Sequence, residues 1–151
     1  MSDHDPRRVA GHLVRRCLRL HDTIFAQVTA GHDITPPQLA ALVQIAEHPQ
    51  IELSALSELI AYDSATIGGI IDRLETKALV QRTPGTRDRR KKHVTLTKAG
   101  RALLAAVEPK AMRIDDVLLA ELAPDEREQF LDLLCRVTRF DEAARDAKHV
   151  A

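Results

Sequence analysis

Tryptophan is absent from the 151-residue chain, and tyrosine occurs once, as Tyr62, beside three phenylalanines. So few rings exclude a platform on which single-stranded nucleic acid could stack, and they argue against a large aromatic-lined sandwich. Cysteine is as scarce: Cys17 and Cys135 are too few and too far apart for a disulfide framework. No CxxC occurs, and the seven histidines form no obvious metal-binding pattern with another His, Cys or carboxylate. The nucleophile elbow, the P-loop, the dinucleotide fingerprint and HExxH are missing as well. No run approaches the roughly 18 apolar residues of a membrane span. The opening residues, Met1 to Arg8, are polar and lack the apolar core of a secretory signal. These absences predict a reduced, cytoplasmic protein that is not an enzyme and needs no metal, cofactor or membrane.

Net charge is absent too, with 22 basic residues against 22 acidic ones, but the charge is sorted along the chain. From Arg82 to Lys92 there are six basic residues and one acid, Asp88; from Glu108 to Asp146 there are eleven acids and six bases. A concentrated basic run on a neutral protein is a local electrostatic footprint, suited to a polyanion, unless it is only a solvated loop.

Hydrophobic spacing predicts a mainly helical chain. Between Arg8 and Ala30, Val9, Leu13, Cys17, Leu20, Ile24 and Val28 recur at helical spacing, and Val14, Leu18, His21 and Phe25 form a second stripe beside them. Two stripes predict a helix covered on more than one side. Thr35-Pro36-Pro37-Gln38 is a helix start with a capping box, and His48-Pro49 is its end. Leu53 to Ile60 reads as a short amphipathic helix. A three-residue connection follows, and then a helix to about Lys77, capped by Asp63 or Ser64 and facing inward through Ile67, Ile70, Ile71 and Leu74. The period then shortens: Leu79 to Thr83 and His93 to Thr97 read as two strands, and the loop between them holds the basic run. A long helix from Lys98 to Leu122 must kink or break at Pro109. Pro124 opens a last helix with Phe130, Leu133, Leu134, Val137 and Phe140 on one stripe.

The expected fold class is therefore mainly α with a small two-stranded β wing: a winged helix-turn-helix over residues 35–97, flanked by helical regions 1–34 and 98–151. In such a unit the second helix enters the major groove of double-stranded DNA, and the wing reaches the backbone or minor groove. The outer face of that helix carries Ser64, Ala65, Thr66, Gly68, Gly69, Asp72 and Arg73. They are small or polar, so the helix can lie close to base edges, and Arg73 can reach a phosphate or a guanine. Each interior glycine costs roughly 1 kcal/mol relative to alanine. Gly68 and Gly69 therefore mark either a helix break or close helix packing on the one hand, or close approach to DNA on the other.

The stretch from Asp63 to Glu75, followed by Leu79-Val80 and by Asp88-Arg89-Arg90 six residues before Leu96-Thr97, resembles the MarR family of bacterial transcriptional regulators. The order of elements agrees over nearly the whole chain. The segment Tyr62 to Glu75 resembles the branch that regulates catabolism of aromatic or nicotinate-type acids. The resemblance implies an intertwined helical homodimer on a pseudo-palindromic operator, and repression relieved by a small aromatic carboxylate or phenolic effector. It implies that Asp88 orients Arg90 into the minor groove, with Arg87, Arg89 and Lys91 at phosphates or free.

His21 stands where its stripe should be apolar, either as a core histidine bonded to backbone or as a pocket residue for an acidic effector. Arg15, Arg16 and Arg19 lie within two turns and could neutralise a carboxylate, or could be solvated or paired across a dimer. Cys17 lies on the apolar stripe and reads as an inert thiol. A redox- or metal-responsive regulator of the same fold and a helical dimerisation adaptor without DNA binding are the competing readings; the adaptor would leave the basic wing unexplained.

Overall fold

A computed structural model describes residues 9–84 and 92–138. The elements run α1 (Ala10–Val28), α2 (Pro36–Glu47), β1 (Ile51–Glu52), α3 (Leu53–Leu59), α4 (Ser64–Thr76), β2 (Val80–Pro84), β3 (Lys92–Leu96), α5 (Lys98–Ala111), α6 (Ile114–Leu118) and α7 (Pro124–Thr138). The contacts divide the chain after Ile114, and the two units are described separately.

In the first unit the core is built on α4. Ile67, Ile70, Ile71 and Leu74, spaced three and four apart, are all buried, together with Leu39, Leu42 and Ile45 of α2, Leu56 of α3, and Leu104 and Val107 of α5. Burying side chains of this size contributes about 1.5–3 kcal/mol each, so α4 is held by its inner face and its outer face is left free. The apolar stripe of α2 runs through Leu39, Leu42 and Ile45, and Ala46 is exposed.

The sheet has one strand more than the sequence predicts. Its order is β1-β3-β2, all antiparallel, with Ile51 opposite Val94 and Val80 opposite Leu96. Two residues, Ile51 and Glu52, are too short a run to show alternation, and their pairing with β3 is non-local. On the inner face Ile51, Val80, Val94 and Leu96 are buried. His93 is bound through Nδ1 to the Gln50 carbonyl, where the chain turns with positive φ into β1.

The helix ends follow their capping residues. Gln38 accepts a hydrogen bond from the Thr35 backbone N–H (3.2 Å), closing one arm of the expected capping box. Thr97 caps α5 by accepting from the Gly100 N–H (3.0 Å) while its own hydroxyl donates to the Ala78 carbonyl (2.7 Å). Pro109 lies in the last turn of α5, and the helix stops two residues later, at Ala111. The expected single long helix is thus two, α5 and α6, but α5 runs through Pro109 and the break falls at Met112–Arg113, three residues past the expected position.

α1 departs most from expectation. Only Ile24 and Phe25 are buried; Val9, Leu13, Val14, Leu18 and Leu20 are about half exposed within the single chain. In the second unit α7 buries no residue, and Leu131, Leu133, Leu134 and Val137 are exposed. Both helices are amphipathic, and among the described residues much of each apolar stripe is exposed.

Candidate nucleic-acid interface

α4 begins at an N-cap that the sequence specifies closely. Asp63 accepts from the Thr66 backbone N–H (2.9 Å) through one carboxylate oxygen and from the Thr66 hydroxyl (2.6 Å) through the other. Those two bonds stabilise the ionised carboxylate and hold its pKa below the ordinary value. They also engage the Thr66 hydroxyl proton, so this side chain has no free donor.

Ser64, Ala65, Thr66, Asp72 and Arg73 are exposed, and Gly68 and Gly69 are half-buried on the same helix. By helical spacing Ala65, Gly69 and Thr76 run down the middle of the outer face, with Thr66 and Arg73 to one side and Gly68 and Asp72 to the other. The two intramolecular explanations for the glycines fail. α4 is continuous through both, and a Cβ added at either would meet nothing within 4 Å. Among the described residues the fold does not require glycine at either position.

β2 leaves α4 through Lys77–Leu79, with Ala78 at positive φ. Arg82, the first residue of the basic run, is turned inward. It shares a strand face with buried Val80, because the two are two apart. Its Nη1 donates to Glu75 Oε2 (2.6 Å) and its Nη2 pairs with Asp72 Oδ1 (2.7 Å), while its backbone N–H reaches Glu75 Oε1 (3.2 Å). Partial burial opposes its charge, but these bonds outweigh it and raise its pKa further. Charge counting treats the run as one positive patch; the alternation of β2 is the signal that Arg82 belongs to a different face. The wing residues Arg87, Asp88, Arg89, Arg90 and Lys91 lie outside the described residues.

The far end of α4 is tethered to the loop after α1. Lys77 Nζ donates to the Asp33 carbonyl (2.5 Å) and pairs with its carboxylate (2.9 Å). The neighbouring His32 Nε2 lies 3.3 Å from Lys110 Nζ of α5. The sequence carries no signal for either pair, since the partners are 44 and 78 residues apart.

On α1, Arg15, Arg16 and Arg19 are exposed and His21 is partly covered. His21 Nδ1 lies 3.2 Å from Asp22 Oδ1, and its ring is 6.3 Å from that of Phe25. An open depression along α1 is lined by Arg19, Asp22, Thr23, Ala26 and Gln27. Arg19 is the one residue of the expected effector set on it. Cys17 is partly buried and Cys135 exposed, both as free thiols. Among the described residues no group of His, Cys, Asp and Glu is arranged to hold a metal ion, and no helix is long and apolar enough to cross a membrane.

A family model described as the MarR family matches residues 34–92. The transcriptional repressor NicR of Pseudomonas putida is 36% identical, over 95% of this chain and 90% of its own length. The solved structure of BpsR from Bordetella bronchiseptica, described as a mechanism for regulation of DNA binding by 6-hydroxynicotinic acid, superposes with a TM-score of 0.85. It is 31% identical and covers 91% of this chain and 98% of its own. A mutant of MarR from E. coli, complexed with operator DNA, superposes at 0.79 with 25% identity, covering 88% and 94% of the two chains. The family match falls on the winged helix-turn-helix, and the relatives extend the likeness along almost the whole chain. The chain belongs to the MarR family of winged-helix transcriptional regulators.

Proposed function

We propose that the protein is a homodimeric repressor that binds a pseudo-palindromic operator in double-stranded DNA and leaves it when a small aromatic acid binds. The observation that carries this is the outer face of α4: its inner face is buried in the core, and its exposed side carries two glycines, Gly68 and Gly69, where the fold would accommodate side chains. Residues 35–97 form the DNA-binding part. Ser64, Ala65, Thr66, Gly68, Gly69 and Arg73 lie against base edges and flanking phosphates, and Arg90, oriented by Asp88, enters the minor groove with Arg87, Arg89 and Lys91 nearby. No step of this requires catalysis, and the protein acts in the cytoplasm with the chromosome.

Residues 1–34 and 98–151 form the dimerisation part. The exposed apolar residues of α1 and α7 support this, because patches of that kind mark interfaces. Two half-sites one DNA turn apart, about 34–36 Å, demand a fixed separation of the two α4 helices, so a shift of a few ångströms spoils simultaneous docking. The effector is an aromatic carboxylate or phenol held by α1, where Arg15, Arg16 and Arg19 offer charge and His21 a polar edge against Phe25. Repression by NicR and the response of BpsR to 6-hydroxynicotinic acid support both halves of the reading.

The test is release. A duplex from the region upstream of the protein's own gene is bound, and 6-hydroxynicotinate, benzoate and hydroxybenzoates are titrated in. One of them dissociates the complex in the wild type, and His21→Ala binds DNA normally but needs far more of it. Equal titrations of the two proteins would place the pocket away from His21. Insensitivity to every aromatic acid would remove that effector class.

A further inference from the structure

Arg82 sits between the two elements that are to touch DNA, yet its surroundings do not suit a DNA contact. Its side chain is 19% exposed. Both terminal nitrogens face carboxylates of α4, and Nη2 is also 3.5 Å from the Gly68 carbonyl. One cation among two carboxylates leaves a local charge of minus one, which repels phosphate. Glu75 holds Arg82 twice, by its backbone N–H and by its guanidinium, and so fixes the strand's position as well as pairing its charge.

We propose that Arg82 is a positioning residue: forked between Asp72 and Glu75, it sets the angle between α4 and the β2–β3 wing so that both engage one duplex together. This rests on the reading of α4 and the wing as the DNA interface. Covalently, β2 is joined to α4 only through the short turn at Lys77–Leu79. Arg82 lies two residues from the end of β2, where the basic loop begins. Arginine suits the task because its planar fork meets two acceptors at fixed directions, which a lysine ammonium does not.

The test uses the full chain with Arg82→Gln, Arg82→Lys and the exchanged pair Asp72→Arg with Arg82→Asp. Three quantities are read: backbone hydrogen exchange over Val80–Pro84, melting temperature, and affinity for the upstream duplex over a salt series. Arg82→Gln is expected to speed exchange in β2 and to lose about tenfold or more in affinity, as the docking-competent wing becomes a minor population. The salt dependence keeps its slope, because no phosphate contact is lost. Arg82→Lys does not restore binding, and neither does the exchanged pair, because an aspartate at 82 regains one ion pair with position 72 but faces Glu75 with like charge. Should Arg82→Gln fail to fold, Arg82→Lys and the exchanged pair carry the same comparison.

The proposal is overturned if Arg82→Lys binds like wild type, or if the slope becomes shallower by about one contact per subunit with exchange unchanged. It is equally overturned if exchange quickens while affinity stays the same. A wild-type protein that binds no duplex would refute the DNA reading itself. The exchange measurement then still decides whether Arg82 holds the wing, and unchanged exchange in Arg82→Gln says that it does not.

Discussion

Gly100→Ala is predicted to destabilise the protein, although alanine is the better helix former. Gly100 is the third residue of α5 and lies against the backbone of Leu79, just before β2. An added Cβ would stand 3.0 Å from the Leu79 carbonyl carbon and 3.4 Å from its Cα, and closer still to the carbonyl oxygen. Carbon atoms in good contact are about 3.5–4.0 Å apart, so α5 and the start of β2 must separate by at least about half an ångström. No flexible side chain can yield, because the atoms met are main chain. The separation strains the Thr97 N–H bond to the Leu79 carbonyl (3.0 Å) and the Thr97 hydroxyl bonds at the same place. Overpacking costs about 1–3 kcal/mol and a weakened hydrogen bond about 1 kcal/mol, while the gain in helix propensity offsets roughly 1 kcal/mol. The net loss is about 1–3 kcal/mol, which lowers Tm by roughly 2–4 °C per kcal/mol in a chain of this size. Thermal melts followed by circular dichroism measure it. A variant that melts at or above the wild-type temperature would refute the close-approach argument.

Gly69→Ala is the contrasting case: with open space around the added carbon, stability should rise by up to about 1 kcal/mol, while operator affinity falls because the methyl group stands between helix and bases. Unchanged affinity would place Gly69 outside the contact. The lowered pKa of Asp63 has a definite sign: its contribution to stability is present above the unfolded value of 3.8 and is lost as pH falls through the lower folded value. Asp63→Asn keeps a capping acceptor but loses that dependence, so its stability should fall less than wild type's below about pH 4; parallel acid titrations would contradict this. Leu18→Glu puts a charge on a residue 58% exposed in the single chain. It should leave the winged domain folded and yield monomers in sedimentation, whereas an intact dimer would move the interface elsewhere.

The parts of the fold written in local chemistry are legible in the sequence. The α4 stripe of Ile67, Ile70, Ile71 and Leu74, the Asp63 cap and the Thr35 start of α2 each depend on neighbours within one or two helical turns, and each appears where the spacing places it, whereas the break expected at Pro109 falls three residues later. What the sequence hides is pairing at a distance. Ile51–Glu52 becomes a strand only because β3 lies beside it, and Gly100 matters only because Leu79 comes up against it. Arg82 is an instructive case, since charge counting assigns it to the DNA-facing run while the parity of β2 turns it toward two acids. The double stripe of α1 is legible as a demand for cover, and among the described residues Leu13, Val14, Leu18 and Leu20 of that stripe are exposed.

The central claim is that two copies of this chain read one DNA duplex through α4 and the basic wing. The most direct measurement is fluorescence anisotropy of a duplex from the protein's upstream region, titrated with protein from low to high salt beside an unrelated duplex. The account predicts two protomers per duplex, tighter binding to the upstream sequence, and log affinity falling with log salt with a slope of about −0.9 for each phosphate neutralised. Equal affinity for both duplexes, or binding indifferent to salt, would contradict it.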